Sequence, residues 1–535
     1  MDASLKETEY DVLLVGTGMV EGILAGALAR IGKKVLHLDQ NDYYGSNYAS
    51  FPLAQFLRWT KNENIAPRNF GDEDDNDKVE KKVKDTATID EDKQRVLPMK
   101  SSFECRLLEE GFADEATKEE LLRQSSSFSI DVNPRLMLSS EQLVEILITS
   151  GVGRYLEFAA IERTYVHFQS AVSGAKSEES DTVWEVPCSK KDVFQSKLLG
   201  MVEKRQLMKF LQFVADYGET HILHEDVKTK NERTLALGRA LKRPQNKASQ
   251  ADGDAELEKY LDRPFQELLE KHFKLSSKLQ QVVVYCVGLA SFPATKNQIS
   301  AREGLEAVYR YVASIGRFTG TAFLAPLYGI SELAQSFCRL SAVYGGIYVL
   351  RAPIDGFVLD TETNELRGVR CCDGDVLRTK HSAAMAETAD EDAVEATTDE
   401  GEAATKPAWS DRIAWRAIFT MDHLASGDAK LLDPSAKATD LPANAWVCET
   451  SMAEFDAGVA DPVEKPPTSC NAASPLEIHL ESASANARAI FEALCPGEPF
   501  LPKSASAEQA EQEEQESEED AVLRAAQKLA QQTQL

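Results

Sequence analysis

Near the start of the chain, Gly16, Gly18 and Asp39 have the types and spacing of a phosphate-binding turn. The two glycines follow an apolar run, a helical pattern begins directly after them, and Asp39 closes the next apolar run. In a dinucleotide fingerprint the N–H groups of such a helix receive a pyrophosphate and the acid receives a ribose hydroxyl. The third glycine position, which lets the helix pack closely on its strand, holds Glu21 instead. A carboxylate in the first helical turn repels a diphosphate. The turn formed by Gly16, Gly18, Glu21 and Asp39 is therefore read as degenerate, a scaffold kept without its cofactor, with a flavin oxidoreductase as the competing reading. No second flavin motif follows, no His is linked to a carboxylate, and no nucleophile has an evident base. The nine cysteines include no Cys-x-x-Cys pair, so neither a zinc site nor a disulfide framework is expected. The expectation is binding chemistry, with no catalytic residue, no metal and no flavin.

Other spacings suit binding. Along 331–344, Leu333, Phe337, Leu340 and Tyr344 form an apolar helical stripe. Glu332 and Arg339 share a different face, about 100° from that stripe. Opposite charges so placed can grip a polar surface, or they can be an ordinary solvated face. Phe194 and Arg205, on one continuous helix, project from one side about 16 Å apart. An exposed aromatic beside an Arg has the composition of an interface hot spot, and a core Phe beside a surface Arg is the alternative. Leu279, Val282, Val283, Cys286 and Leu289, with Ala290, make a segment apolar around most of its girth. Such a helix sits at the centre of a bundle or shelters a lipid.

The elements that must position these residues start with a β-α-β unit: a strand at 11–15, a helix at 20–30 and a strand at 34–39. A polar stretch at 72–93 marks an insertion loop. Helical periodicity returns at 140–150, strand patterns follow near 161–168 and 182–187, and 192–314 is almost entirely helical with a polar interruption at 231–254. The chain then re-enters the α/β unit at 326–329, with a helix at 331–344 and strands near 347–351 and 356–359. The 535 residues carry 87 Asp and Glu against 59 Lys and Arg, a net charge of −28, which disfavours a nucleic-acid partner. Two low-complexity segments, 383–407 and 501–520, contribute −7 each and lack the apolar content to fold alone. At 43% hydrophobic the chain can bury a large core. Its longest apolar stretch, 282–290, is far short of the roughly 20 residues that span a bilayer. The polar opening lacks a secretory signal, so a cytosolic location is expected.

Several runs are recognisable: DVLLVGTGMVE at 11–21, KVLHLD at 34–39, YYG at 43–45, GVGRYLEF at 151–158, MVEKR at 201–205 and PLYGISELAQSFCRLSAVYGG at 326–346. Together they resemble the superfamily of Rab GDP-dissociation inhibitors and Rab escort proteins. NYASF at 47–51, the long insertion after Trp59, and VPCS at 186–189 leading into Asp192-Val193-Phe194 resemble the escort branch. The resemblance implies an α/β, FAD/NAD(P)-binding-like (Rossmann-type) fold with an inserted all-helical domain and without bound FAD. It divides the chain into a discontinuous Rab-binding unit (1–59, 128–188, 317–500), a flexible insertion (60–127), a helical domain (189–316), the acidic insertion (383–407) and an acidic tail (501–535). It assigns Tyr44, Glu332, Arg339 and Val349 to a platform for GDP-bound Rab GTPases, and Ile148, Thr149 and Leu156 to a patch for the Rab C-terminus. Phe194 and Arg205 are assigned to docking the α/β heterodimer of Rab geranylgeranyltransferase. Leu279, Val282, Val283, Cys286 and Leu289 are assigned to a pocket for the geranylgeranyl group, a transient ligand. The implied protein is a non-catalytic escort that touches membranes transiently. An inhibitor that recycles prenylated Rab is the alternative, and a flavin enzyme a distant third.

Overall fold

The computed structural model describes residues 10–61, 94–100, 103–111, 115–161, 163–168, 182–187, 190–196, 199–222, 257–289, 299–361, 366–371, 376–384, 387–388, 413–419, 445–452, 468–470 and 480–503. The polar run 231–254, most of the acidic insertion and the tail beyond 503 lie outside the described residues.

Strands Tyr10–Val15 and Val35–Leu38 run parallel, in register from Val12 opposite Val35 to Val15 opposite Leu38. Both are almost continuously apolar because helices or further chain cover each face, so no alternation is needed. Between them the helix Met19–Arg30 is buried from Met19 to Ala29. The nine-stranded sheet runs in the order Ile347–Val349, Val35–Leu38, Tyr10–Val15, Val376–Ala384, Leu366–Cys371, Ile354–Asp360, Gln94–Lys100, Glu387–Thr388, with Thr468–Cys470 also paired to Val376–Ala384. Val376–Ala384 is the hinge between two halves. It pairs parallel with Tyr10–Val15 and Thr468–Cys470, and antiparallel with Leu366–Cys371.

The helix Ser331–Val343 lies against Met19–Arg30 at very close range. A Cβ on Gly22 would sit 3.1 Å from the Ala334 carbonyl oxygen, and one on Gly26 would sit 3.2 Å from the Leu340 side chain. Two glycines one turn apart thus form the flat strip on which the second helix rests. The core around this contact includes Leu14, Ile23, Leu143, Val152, Leu333 and Phe337.

The insertion expected as a loop over 60–127 differs from that expectation. Gln94–Lys100 pairs with Ile354–Asp360 in the main sheet. Phe103–Gly111 pairs with Ala445–Met452, which pairs in turn with Ile413–Phe419. Glu115–Arg123 is a helix. Their partners lie hundreds of residues away, so nothing local marks these short runs as strands. Residues 62–93 lie outside the described residues.

The helical unit has a second core of Phe210, Phe265, Leu268, Leu279, Val283, Leu305 and neighbours. Two of its helices change pitch part-way: Phe265–Glu267 continues as a π-helix over Leu268–His272, and Ser277–Gln281 continues as one over Val282–Val287. The expected continuous helix through Phe194 and Arg205 is two helices, Lys190–Gln195 and Met201–His221. Gly200 is the N-cap of the second. Its extended backbone opens the second helix, and the Glu203 carboxylate accepts its N–H at 2.9 Å.

Candidate functional site

The dinucleotide turn is filled by its own chain. Asp39 is buried, and its Oδ2 accepts from the Thr17 N–H at 2.8 Å, the Thr17 hydroxyl at 2.6 Å and the Ser46 hydroxyl at 3.1 Å. Its Oδ1 accepts from the Asn41 N–H at 2.8 Å and the Asn41 side chain at 2.9 Å. A carboxylate offers about four lone-pair sites, so these internal donors saturate the acid that the fingerprint reserves for a ribose hydroxyl. The residues present do not fit that contact.

Glu21 corrects the expectation of a repelling charge. It is 2% exposed, and neither carboxyl oxygen has a partner beyond its own backbone. Burial, with the Asp39 charge adding, pushes it up to about 8 against the opposing pull of its own N–H. At neutral pH Glu21 is mostly protonated, a neutral filler beneath the turn. His37, tilted against Tyr348 with ring centroids 4.8 Å apart and bonded to the Gly16 carbonyl, is lowered to about 4 by burial.

Above this buried layer an open cavity of about 330 Å³ is lined by Tyr44, Tyr155, Glu332, Cys338, Arg339 and Tyr348, among others. The chain brings them from the loop after Val35–Leu38, the turn Val152–Tyr155, the helix Ser331–Val343 and the strand Ile347–Val349. Tyr44 stands edge-on to Tyr348, ring centroids 6.1 Å apart. Glu332 lies in the first turn of its helix and its Oε2 has no hydrogen-bond partner. Burial raises it, the Tyr328 backbone opposes that rise, and the Glu157 charge adds to it. Arg339 is exposed, with its guanidinium 4.3 Å from the Tyr155 ring centroid. Cys338 is held as a thiol, pushed up to about 12 by burial, so it is no nucleophile at neutral pH.

Tyr44, Glu332 and Arg339 therefore share one cavity, while Val349 does not. It is half-buried against the core of Leu13, Leu36 and Phe357, on the opposite face of its strand from Tyr348. Sequence reasoning missed Tyr155, Cys338 and Tyr348. Strand alternation beside Val349 could have found Tyr348, whereas Tyr155 depends on where a short turn lands.

The other expected sites are placed as follows. Ile148, 50% exposed, sits in the last turn of the helix Gln142–Ser150. Thr149 is half-buried with its hydroxyl tied back to the Glu145 carbonyl at 2.8 Å, so its polar atom is satisfied internally. Leu156 is half-buried on the rim of the first core. Phe194 is 62% exposed and Arg205 is exposed. Their helices are linked by Lys204, whose ammonium donates to the Phe194 carbonyl at 2.7 Å. Leu279, Val282, Val283 and Leu289 are buried in the second core and Cys286 is half-buried beside them. Ala290 lies outside the described residues. Among the described residues no group of three or more His, Cys, Asp or Glu could hold a metal, and no helix is long and apolar enough to cross a membrane.

The family model described as GDP dissociation inhibitor matches residues 6–83, 80–248 and 252–388. The Rab proteins geranylgeranyltransferase component A of Drosophila melanogaster is 31% identical over 360 residues, covering 67% of this chain and 56% of that protein. Rab escort protein 1 of Arabidopsis thaliana is 29% identical over 389 residues, covering 69% of this chain and 59% of that protein. The chain thus spans less than two thirds of the length of these curated relatives. The crystal structure of a Rab GDI from Plasmodium falciparum superimposes with a TM-score of 0.52 at 18% identity, over 91% of this chain and 98% of that one. That likeness carries the fold: an FAD/NAD-binding-like α/β unit with a helical domain.

Proposed function

The chain belongs to the GDP dissociation inhibitor family, and on that premise we propose that it is a Rab escort protein. It binds newly made Rab GTPases in the GDP form, presents them to Rab geranylgeranyltransferase, and carries the lipidated product toward membranes from the cytosol. The observation that carries this reading is the convergence of Tyr44, Glu332 and Arg339, from distant parts of the chain, on one open cavity. Aromatic walls and one charge of each sign, neither of them consumed by an ion pair among the described residues, suit a polar protein surface. The exposed Phe194, set apart on its own short helix, supports the escort reading over the inhibitor reading, because a solvated aromatic of that kind serves a further partner.

Such work needs surfaces and no reactive side chain. The protonated Cys338 and the saturated Asp39 support a non-catalytic role without flavin. The second core, with its π-helical segment Val282–Val287, is the proposed shelter for the geranylgeranyl chain, each buried CH₂ contributing about 0.8 kcal/mol. Ile148 and Leu156 guide the flexible Rab C-terminus past the platform.

The test is reconstitution with a GDP-loaded Rab, the transferase heterodimer and geranylgeranyl diphosphate. Prenylation is expected to require this chain and to fall at least about tenfold with Phe194→Ala, while Rab binding is kept. Equal prenylation without the chain rejects the escort reading. Normal prenylation by Phe194→Ala at limiting transferase removes Phe194 from docking and favours an inhibitor.

A further inference from the structure

Arg339 is the cationic half of the platform, yet among the described residues its guanidinium makes no hydrogen bond and no ion pair. Its contact is with the face of Tyr155, 4.3 Å from the ring centroid. A long side chain on an exposed helix face samples many rotamers, and binding then requires most of them to be given up. A fixed aromatic face beneath the guanidinium removes that requirement in advance.

Tyr155 is fixed at its base and free at its tip. Gly151, at φ +80°, turns the chain out of the helix Gln142–Ser150, a conformation that an L side chain rarely adopts. Val152 is fully buried in the first core. A Cβ on Gly153 would lie 3.1 Å from the Leu147 carbonyl oxygen, so the turn lies flat on its own helix. The Leu156 N–H closes it on the Gly153 carbonyl at 3.3 Å. The ring that emerges is 52% exposed and lines the same cavity as Tyr44 and Glu332.

The geometry points to Tyr155 as a positioning residue: its ring presents the Arg339 guanidinium, unpaired and pre-oriented, to a carboxylate on the partner. The inference rests on the reading that the cavity receives a Rab. The attraction comes from the ring quadrupole and not from the phenolic hydroxyl. Tyr155→Phe should therefore bind GDP-loaded Rab within about twofold of the wild type, and Tyr155→Leu about fivefold more weakly. In an Arg339→Ala background Tyr155→Leu should add no further loss.

The proposal is overturned if Tyr155→Phe weakens binding as much as Tyr155→Leu, or if the loss persists without Arg339, since either result makes the role structural. An NMR readout on the free protein separates this from failure of the escort reading. The Arg339 side-chain protons should be shifted upfield by the ring, a shift that Tyr155→Phe keeps and Tyr155→Leu abolishes. Absence of Rab binding by the wild type with that pattern intact rejects the escort reading and leaves the positioning role standing. A shift that is missing in the wild type, or that survives in Tyr155→Leu, overturns the positioning role.

Discussion

Glu21 shows how one buried group shapes stability with pH. Its carboxyl is raised in the fold to about 8 from an ordinary value near 4.5, so between those values the folded state holds a proton that the unfolded state has lost. Stability from this group is full below pH ~4.5 and is lost as pH rises through 8. His37 acts in the opposite sense, lowered to about 4, and costs stability as pH falls from 6.5. Glu21→Gln isolates the first effect. It is expected to gain roughly 3–4 kcal/mol more at pH 8 than at pH 5, read from denaturant midpoints at both. An equal change at the two pH values would show that Glu21 is ionised in the fold. The glycine turn and Asp39 were legible because strand, turn and acid follow in one stretch. The protonation of Glu21 was not, because helix Ser331–Val343, more than 300 residues away in sequence, packs over its neighbour Gly22.

The contact between helices Met19–Arg30 and Ser331–Val343 joins the scaffold to the proposed binding face, since the second helix carries both Glu332 and Arg339. Gly22→Val places branched methyls against the Ala334 backbone, which cannot move without moving the helix. A loss of about 1–3 kcal/mol in stability is expected, together with weaker Rab binding measured at a temperature where the variant is still folded. Unchanged binding would mean that the platform tolerates a displaced helix. The face shared by Glu332 and Arg339 could be read from periodicity alone, because that helix is regular. The same arithmetic failed for Phe194 and Arg205. Gly200 was visible in the sequence, but whether a glycine interrupts or merely punctuates a helix depends on caps such as Glu203 and Lys204 finding their partners. In the segment read as apolar around most of its girth, Tyr285 is exposed, and the π-pitch of Val282–Val287 sets which side chains face inward.

At the scale of the molecule, the main sheet gathers strands from residues 10–15, 35–38, 94–100 and 347–388, with a further strand at 468–470. Half of the net charge lies in the two acidic segments, so the −28 says little about the binding face. The pairing of Tyr10 with Thr379 and of Val15 with Ala384 has a further consequence, in time. During synthesis Tyr10–Val15 leaves the ribosome with one of its two neighbours roughly 370 residues short of being made. At about 5–20 residues per second that interval is about 20–75 s. For its whole length an apolar strand edge stays open to misplaced pairing. Ribosome-stalled chains ending before residue 370 should be cleaved by protease within the first 60 residues, and chains with residue 384 clear of the exit tunnel should resist. Protection already present in a chain stalled near residue 330 would mean that a substitute partner covers the edge. The molecule proposed to shield another protein's lipid is thus, for about a minute of its own making, the one in need of cover.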